Sequence, residues 1–80
     1  MRAFLLSHRH EPSECAAAYA AWQGFDSPLR HRWAPSTCLA GGHAIWWHVR
    51  APSAESALGL VPAFVAARTE VIPVRDVEIP

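Results

Sequence analysis

The sequence predicts a single α+β domain whose elements follow the order β-α-β-β-α-β, and three observations indicate this arrangement. Strongly apolar, β-prone segments open the chain at Arg2–His10 and recur in its middle at His43–Ala51. Two segments with the apolar spacing of a helix alternate with the predicted strands. The chain has 80 residues, of which 51% are hydrophobic, so residues 1–80 are expected to build one core in one domain.

The first strand is predicted at Arg2–His10. Its alternation gives one face to Phe4, Leu6, His8 and His10 and the other face to Ala3, Leu5 and Ser7. Both faces are apolar where the strand begins. We therefore expect a central strand that is covered on both sides.

The first helix is predicted to begin at Pro12, because the missing N–H of proline costs nothing at the first helical position. Gly24 is the expected C-terminal stop. Apolar residues recur between them at i, i+3, i+4 and i+7, and they form one stripe that should face the core: Cys15, Ala18, Tyr19 and Trp22.

The second strand is predicted at Ser36–Ala40, after an irregular segment over residues 25–35. Gly41 and Gly42 would form a two-residue hairpin turn, since glycine tolerates a positive φ. The third strand then runs over His43–Ala51. This hairpin would place Cys38 opposite Ile45.

The second helix begins after Ser53, which is a good N-cap residue. Gly59 and Pro62 interrupt it, so we expect a bend or two short pieces. The last strand is predicted at Thr69–Val74. Pro73 cannot donate to a β-ladder, which places this strand at an edge of the sheet.

This order of elements is the split βαβ, or ferredoxin-like, arrangement, with an antiparallel sheet in the order 4-1-3-2 and two helices on one face. The other face would be bare and would carry Phe4, Leu6 and Trp46. Large bare apolar faces mark interfaces, and a chain of this size gains stability by association. We therefore expect a homodimeric barrel, with a second copy of the chain as partner.

The third strand runs into the second helix through the pattern V-x-A-P-S-A-E at Val49–Glu55, inside the segment AIWWHVRAPSAESALGLVPAFVAARTEVIPV. By element order and this pattern, the chain resembles the dimeric α+β barrel superfamily. That superfamily includes muconolactone isomerase-like proteins, antibiotic-biosynthesis monooxygenase-like proteins and small bacterial families of unknown function. One similar family includes a nickel-binding protein. The resemblance implies the fold and the dimer, and it transfers no catalytic residue.

Five histidines and two cysteines are present, and imidazole and thiolate are the ligands that zinc, nickel and copper ions favour. If the first and third strands are antiparallel neighbours, the end of one lies beside the start of the other. The metal ligands predicted on this basis are His10, Cys15, Cys38 and His43. No C-x-x-C or H-x-x-x-H pair supports the site, so the alternative of buried cysteines beside surface histidines stays open.

A small-molecule site is the second candidate. Trp46, His48 and Arg50 alternate along the third strand and so share one face. We expect this face to be the open one, with His8 beside it. An aromatic wall with convergent polar groups is typical of pockets, a histidine can act as a general base, and Arg50 can hold a carboxylate. The alternative is that Trp46 packs against a second subunit.

The formal net charge is zero, which argues against binding to nucleic acid, and no apolar run is long enough for a signal peptide or a membrane span. The expected location is therefore the cytoplasm, with reduced cysteines. Three functions remain open. They are a binding protein for a small ligand or a transition-metal ion, a cofactor-free isomerase or monooxygenase-like enzyme that uses a histidine in the cleft, and a structural dimer or interaction module without a ligand.

Overall fold

The computed structural model describes all 80 residues. Three strands and three short helices follow one another in the order β1 (Arg2–Arg9), α1 (Cys15–Ala20), β2 (Ala44–Ala51), α2 (Ala54–Leu58), α3 (Ala63–Ala66) and β3 (Thr69–Pro73). Short 3-10 turns lie at Pro12–Glu14 and Cys38–Ala40. None of the helices is long and apolar enough to cross a membrane.

The sheet is antiparallel, has three strands and follows the order β2-β1-β3. Leu6, in the middle of β1, lies opposite Trp47 on one side and Val71 on the other. The predicted pairing of the first strand with the tryptophan-containing strand is confirmed. The edge position predicted from Pro73 for the last strand is confirmed as well.

The predicted four-stranded β-α-β-β-α-β fold is wrong, because no strand forms at Ser36–Ala40. Ser36 makes a single isolated bridge to Ile45, and Cys38–Ala40 is a 3-10 turn. The reason lies in Thr37, whose carbonyl oxygen accepts hydrogen bonds from the N–H groups of Ala40 (2.9 Å) and Gly42 (2.8 Å). These local bonds hold the chain in a loop instead of extending it as a strand with a two-residue hairpin turn.

The second helix is interrupted between Gly59 and Pro62, as predicted, and so forms the two pieces α2 and α3. The Ser53 side chain accepts a hydrogen bond from the Ser56 N–H and caps α2. The first helix is shorter than expected, since α1 ends at Ala20 and the turn that follows closes at Gly24 with φ +75°. The helices are therefore only one to two turns long and depend on packing against the sheet.

The core lies between one face of the sheet and the helical segments, and its buried residues include Phe4, Leu6, Trp47, Val49, Ala57, Val61 and Val65. We call this the covered face. The register places Trp46 opposite Ser7 on the other, uncovered face. Phe4 and Leu6 were expected on the uncovered face, and this expectation is wrong, because both are 0% exposed within a single chain. They need no second copy to bury them, so this argument for a dimer is lost, and the homodimer stays a prediction.

Candidate metal centre

All four predicted ligands meet at one end of the sheet. One ligand atom from each residue lies within 4.8 Å of all the others, in the set His10, Cys15, Cys38 and His43. They come from three separate segments, namely the end of β1, the start of α1 and the loop before β2. Both cysteines are free thiols. The set could hold a metal ion, with zinc as a suitable example.

The start of α1 positions Cys15. Glu14, the preceding residue, accepts hydrogen bonds from Arg68 Nε (2.9 Å) and Nη2 (2.7 Å) on one carboxylate oxygen. Its other oxygen accepts from the Glu11 N–H at 2.9 Å. These hydrogen bonds lower the pKa of Glu14, and the one from Arg68 has the largest effect. Because the Arg68 guanidinium also lies 3.7 Å from the centre of the Phe64 ring, α1 is tied to α3 beside the site.

The loop from Thr37 to Ala44 positions the next two ligands. The Thr37 N–H donates to the Ala44 carbonyl (2.9 Å), and the Ala44 N–H donates to the Thr37 hydroxyl (3.1 Å). Thr37 therefore closes the base of a loop that carries Cys38 at its start and His43 at its end. Gly42 lies so close to Thr37 that a Cβ atom there would be 2.6 Å from the Thr37 Cβ.

His43 has two unusual features. Its backbone lies in the left-handed region with φ 53°, which non-glycine residues seldom adopt. Its Nδ1 atom is buried and makes no hydrogen bond. Leaving a buried polar atom without a partner costs about 1–3 kcal/mol, so native structures seldom do it. In the tautomer with the proton on Nε2, a ligated cation would satisfy the Nδ1 lone pair.

His10 lies in the middle of a group of contacts. Its backbone N–H donates to the His43 carbonyl at 3.1 Å. Its Nδ1 atom is 2.9 Å from Nε2 of His8, and its Nε2 atom is 3.8 Å from Sγ of Cys38. Only 7% of the residue is exposed, so the ring is held between these neighbours.

Two neighbours of the site were assigned elsewhere from the sequence, Tyr19 to the core and His8 to the open face. Tyr19 was assigned to the core stripe, yet it is 52% exposed, and its pKa is raised first by a hydrogen bond with Cys38 and then by burial. His8 also borders the site, and its pKa is lowered first by burial and then by the nearby His10. The spacing of His8 and His10, two residues apart on one strand, could have predicted that His8 borders the site.

The dimensions of the set suit a tetrahedral ion. Zinc bonds of about 2.0–2.1 Å to nitrogen and 2.3 Å to sulfur place tetrahedral ligand atoms about 3.3–3.8 Å apart. Nε2 of His10 and Sγ of Cys38 are 3.8 Å apart, which is at the upper end of this range. The bound of 4.8 Å on all the separations exceeds this range by about 1 Å.

The residues predicted to bind a small molecule are divided by the sheet. Trp46, His48 and Arg50 lie on the uncovered face, opposite Ser7, Leu5 and Ala3 respectively. His8 was expected beside them, and this is wrong, because it lies on the covered face and is 0% exposed. Arg50 borders a polar hollow of about 800 Å³ together with Arg2 and Asp76.

A second hollow, of about 610 Å³, lies on the covered side, next to Tyr19. Four aromatic residues contribute to its wall: Tyr19, Trp22, Trp33 and Trp47. Its basic side chains are Arg30, His31 and Arg32, and no carboxylate lines it. We call it the aromatic hollow. None of its residues was predicted to form a binding site.

Comparisons with described protein families, with curated proteins and with solved structures found no match for this chain.

Proposed function

We propose that this protein binds one transition-metal ion, with zinc preferred, through His10, Cys15, Cys38 and His43. The observation that carries the proposal is the convergence of four soft ligands from three separate segments within 4.8 Å. The unpartnered Nδ1 atom of His43 supports it independently.

Two thiolates and two imidazoles favour zinc over the other candidates. A tetrahedral S₂N₂ set is typical of zinc or an iron–sulfur centre, whereas nickel and copper(II) prefer planar nitrogen and oxygen donors. Four protein ligands leave no open position, which is characteristic of a structural site and not of a catalytic one. The proposed role is therefore to join the end of β1, the start of α1 and the loop before β2.

Measuring the metal content tests this proposal. Protein purified without chelator from zinc-supplemented culture should contain about one zinc ion per chain, as a four-ligand site requires. The double variant Cys15→Ser, Cys38→Ser should lose it. The matched controls are His31→Ala and His48→Ala, since both histidines are exposed and lie outside the set.

Cobalt reports the ligands directly. Cobalt-loaded wild type should show thiolate-to-metal charge-transfer absorption, which the double serine variant should lack. Metal-free protein after zinc-replete growth, or zinc retained by the double variant, would overturn the proposed site.

The small-ligand function has its best support in the aromatic hollow, where we propose that an aromatic carboxylate binds. A volume of about 610 Å³ is within the range of small-molecule sites. Three basic side chains without a neighbouring carboxylate favour an anion. Trp33 is fully exposed and free to stack on a ring.

Calorimetry with 1-naphthoate tests the hollow, and the neutral 1-naphthalenemethanol serves as the control ligand. The acid should bind more tightly than the alcohol. Trp33→Ala should weaken binding of the acid by about 0.5–1.5 kcal/mol, the energy of one aromatic contact. Trp46→Ala, on the uncovered face, should not. Equal weakening by both variants, or no difference between acid and alcohol, contradicts this proposal.

A further inference from the structure

A continuous series of polar contacts links α3 to the candidate metal site through two buried histidines. Nδ1 of His8 lies 3.3 Å from the Val65 carbonyl oxygen and 3.2 Å from the Thr69 hydroxyl. Nε2 of His8 lies 2.9 Å from Nδ1 of His10. Nε2 of His10 then lies beside the Cys38 sulfur at 3.8 Å.

The acceptors at one end fix the direction of every proton in this series. A carbonyl oxygen only accepts, so a hydrogen bond between Nδ1 of His8 and the Val65 carbonyl needs the proton of His8 on Nδ1. The Thr69 hydroxyl donates its own proton to the same carbonyl at 2.6 Å, and it therefore offers His8 a lone pair as well. Both neighbours select the Nδ1–H tautomer of His8.

This tautomer determines the state of His10. A neutral imidazole has one N–H, so Nε2 of His8 presents a lone pair and the 2.9 Å bond must be donated by Nδ1 of His10. The lone pair of His10 is then on Nε2, the atom beside Cys38. This is the form in which His10 can ligate a metal ion.

We infer that His8 is a positioning residue of the metal site, which accepts the Nδ1 proton of His10 and so presents the Nε2 lone pair to the ion. The inference rests on the proposed function and extends it beyond the four ligands. Metal-binding histidines commonly donate their second N–H to an outer acceptor that fixes the tautomer and the ring orientation. Here the acceptor is another histidine, anchored by the backbone carbonyl of Val65.

The position of His8 supports this role. It follows Phe4 and Leu6 on the covered face, lies opposite Ile45 and is 0% exposed. An apolar side chain would fill such a position without the cost of burying polar atoms. Both ring nitrogens of His8 have partners, and one of those partners is a proposed ligand.

Two amide variants separate the proposed role from packing. In His8→Gln the side-chain oxygen can reach the position of Nε2 and accept from His10. In His8→Asn the shorter amide reaches only the Nδ1 position, so His10 loses its acceptor. Zinc affinity, measured by competition with a chromophoric chelator, should fall about 10–100-fold in His8→Asn and be largely retained in His8→Gln.

A nitrogen-15 spectrum of zinc-loaded wild type gives a readout that needs no variant and that packing alone would not change. His10 should show a protonated Nδ1 and a metal-bound Nε2. Ligation through Nδ1 of His10, or equal zinc affinity in the two amide variants, would overturn the role of His8 while leaving the metal site in place. Wild type that takes up no zinc refutes the proposed function and the role of His8 together.

Discussion

The two faces of the sheet place the same residue types in opposite environments. His8 on the covered face is fully buried, and both its ring nitrogens have polar partners, whereas His48 on the uncovered face is exposed. Trp47 is 8% exposed and packs in the core, while its neighbour Trp46 belongs to the uncovered face. Residue type alone therefore does not mark a site. Burial beside a proposed metal ligand is what gives His8 a part in the site that the exposed His48 lacks.

The uncovered face therefore supplies natural controls for the covered one. Each variant on the covered face, or at the metal site, is matched with a counterpart that lacks the same contacts. Equal effects on two residues taken from opposite faces would remove the distinction between the faces.

Metal removal should have the largest effect. A ligand that binds only the folded state stabilises it by RT ln(1 + [L]/Kd), which is about 4 kcal/mol at a free concentration of 1,000 Kd. Chelator should therefore lower the midpoint of thermal unfolding in wild type and in His48→Ala. It should have no effect on His10→Ala, which lacks a ligand. Unfolding of wild type at the same temperature with and without chelator would contradict a structural metal.

Truncation of a core side chain should have the second largest effect on stability. Leu6 is 0% exposed and lies between Trp47 and Val71, so Leu6→Ala should cost about 2–5 kcal/mol. Leu5, its neighbour on the uncovered face, is only partly buried, and Leu5→Ala should cost about 1 kcal/mol or less. Urea unfolding of the two variants, with chelator present, measures the difference. Similar midpoints would mean that both faces are packed alike.

The assignment of residues to the two faces shows where sequence information ended. Alternation placed Trp46, His48 and Arg50 together correctly, because side chains two residues apart on a strand lie on the same face. On β1 the choice between Phe4, Leu6 and His8 or Ala3, Leu5 and Ser7 was ambiguous, because both faces begin apolar. The pairing of Leu6 with Trp47 decides which face is buried. A shift of this pairing by one residue would move every side chain of the strand to the opposite face.

The metal end was more predictable than the fold around it. Proximity of His10 and His43 required only that β1 and β2 be antiparallel neighbours, and the Cα pairing of Arg9 with Ala44 satisfies this condition. The absence of the second strand could not be predicted from the sequence, because it depends on hydrogen bonds that Thr37 makes with Ala40, Gly42 and Ala44. The four residues come together through the loop that Thr37 closes, and not through the predicted hairpin.

The Thr37 loop gives the third prediction. In Gly42→Ala the new Cβ would overlap the Thr37 side chain, and such overpacking costs about 1–3 kcal/mol. Zinc affinity should fall as well, because the same loop carries Cys38 and His43. The control is Gly59→Ala, where φ is −66° and the nearest atom to an added Cβ is 3.4 Å away. This control should be neutral or slightly stabilising, with unchanged zinc affinity, in the same unfolding and competition measurements.

The smallest expected effect concerns the ion pair that holds α1 beside the site. Arg68 lowers the pKa of Glu14 in the folded protein below the ordinary value of 4.5, so the unfolded chain takes up this proton first as pH falls. The stabilisation from Glu14 is therefore fully present above pH 4.5 and is lost as pH falls through the lowered pKa. Glu14→Gln should lower the unfolding midpoint at neutral pH, and the gap from wild type should close in acid. Glu70→Gln is the control on the uncovered face, since Glu70 forms no salt bridge. Chelator in every sample removes the pH dependence of metal binding. A difference in unfolding midpoint between wild type and Glu14→Gln that persists unchanged into acid would show that Glu14 acts through packing and not through its charge.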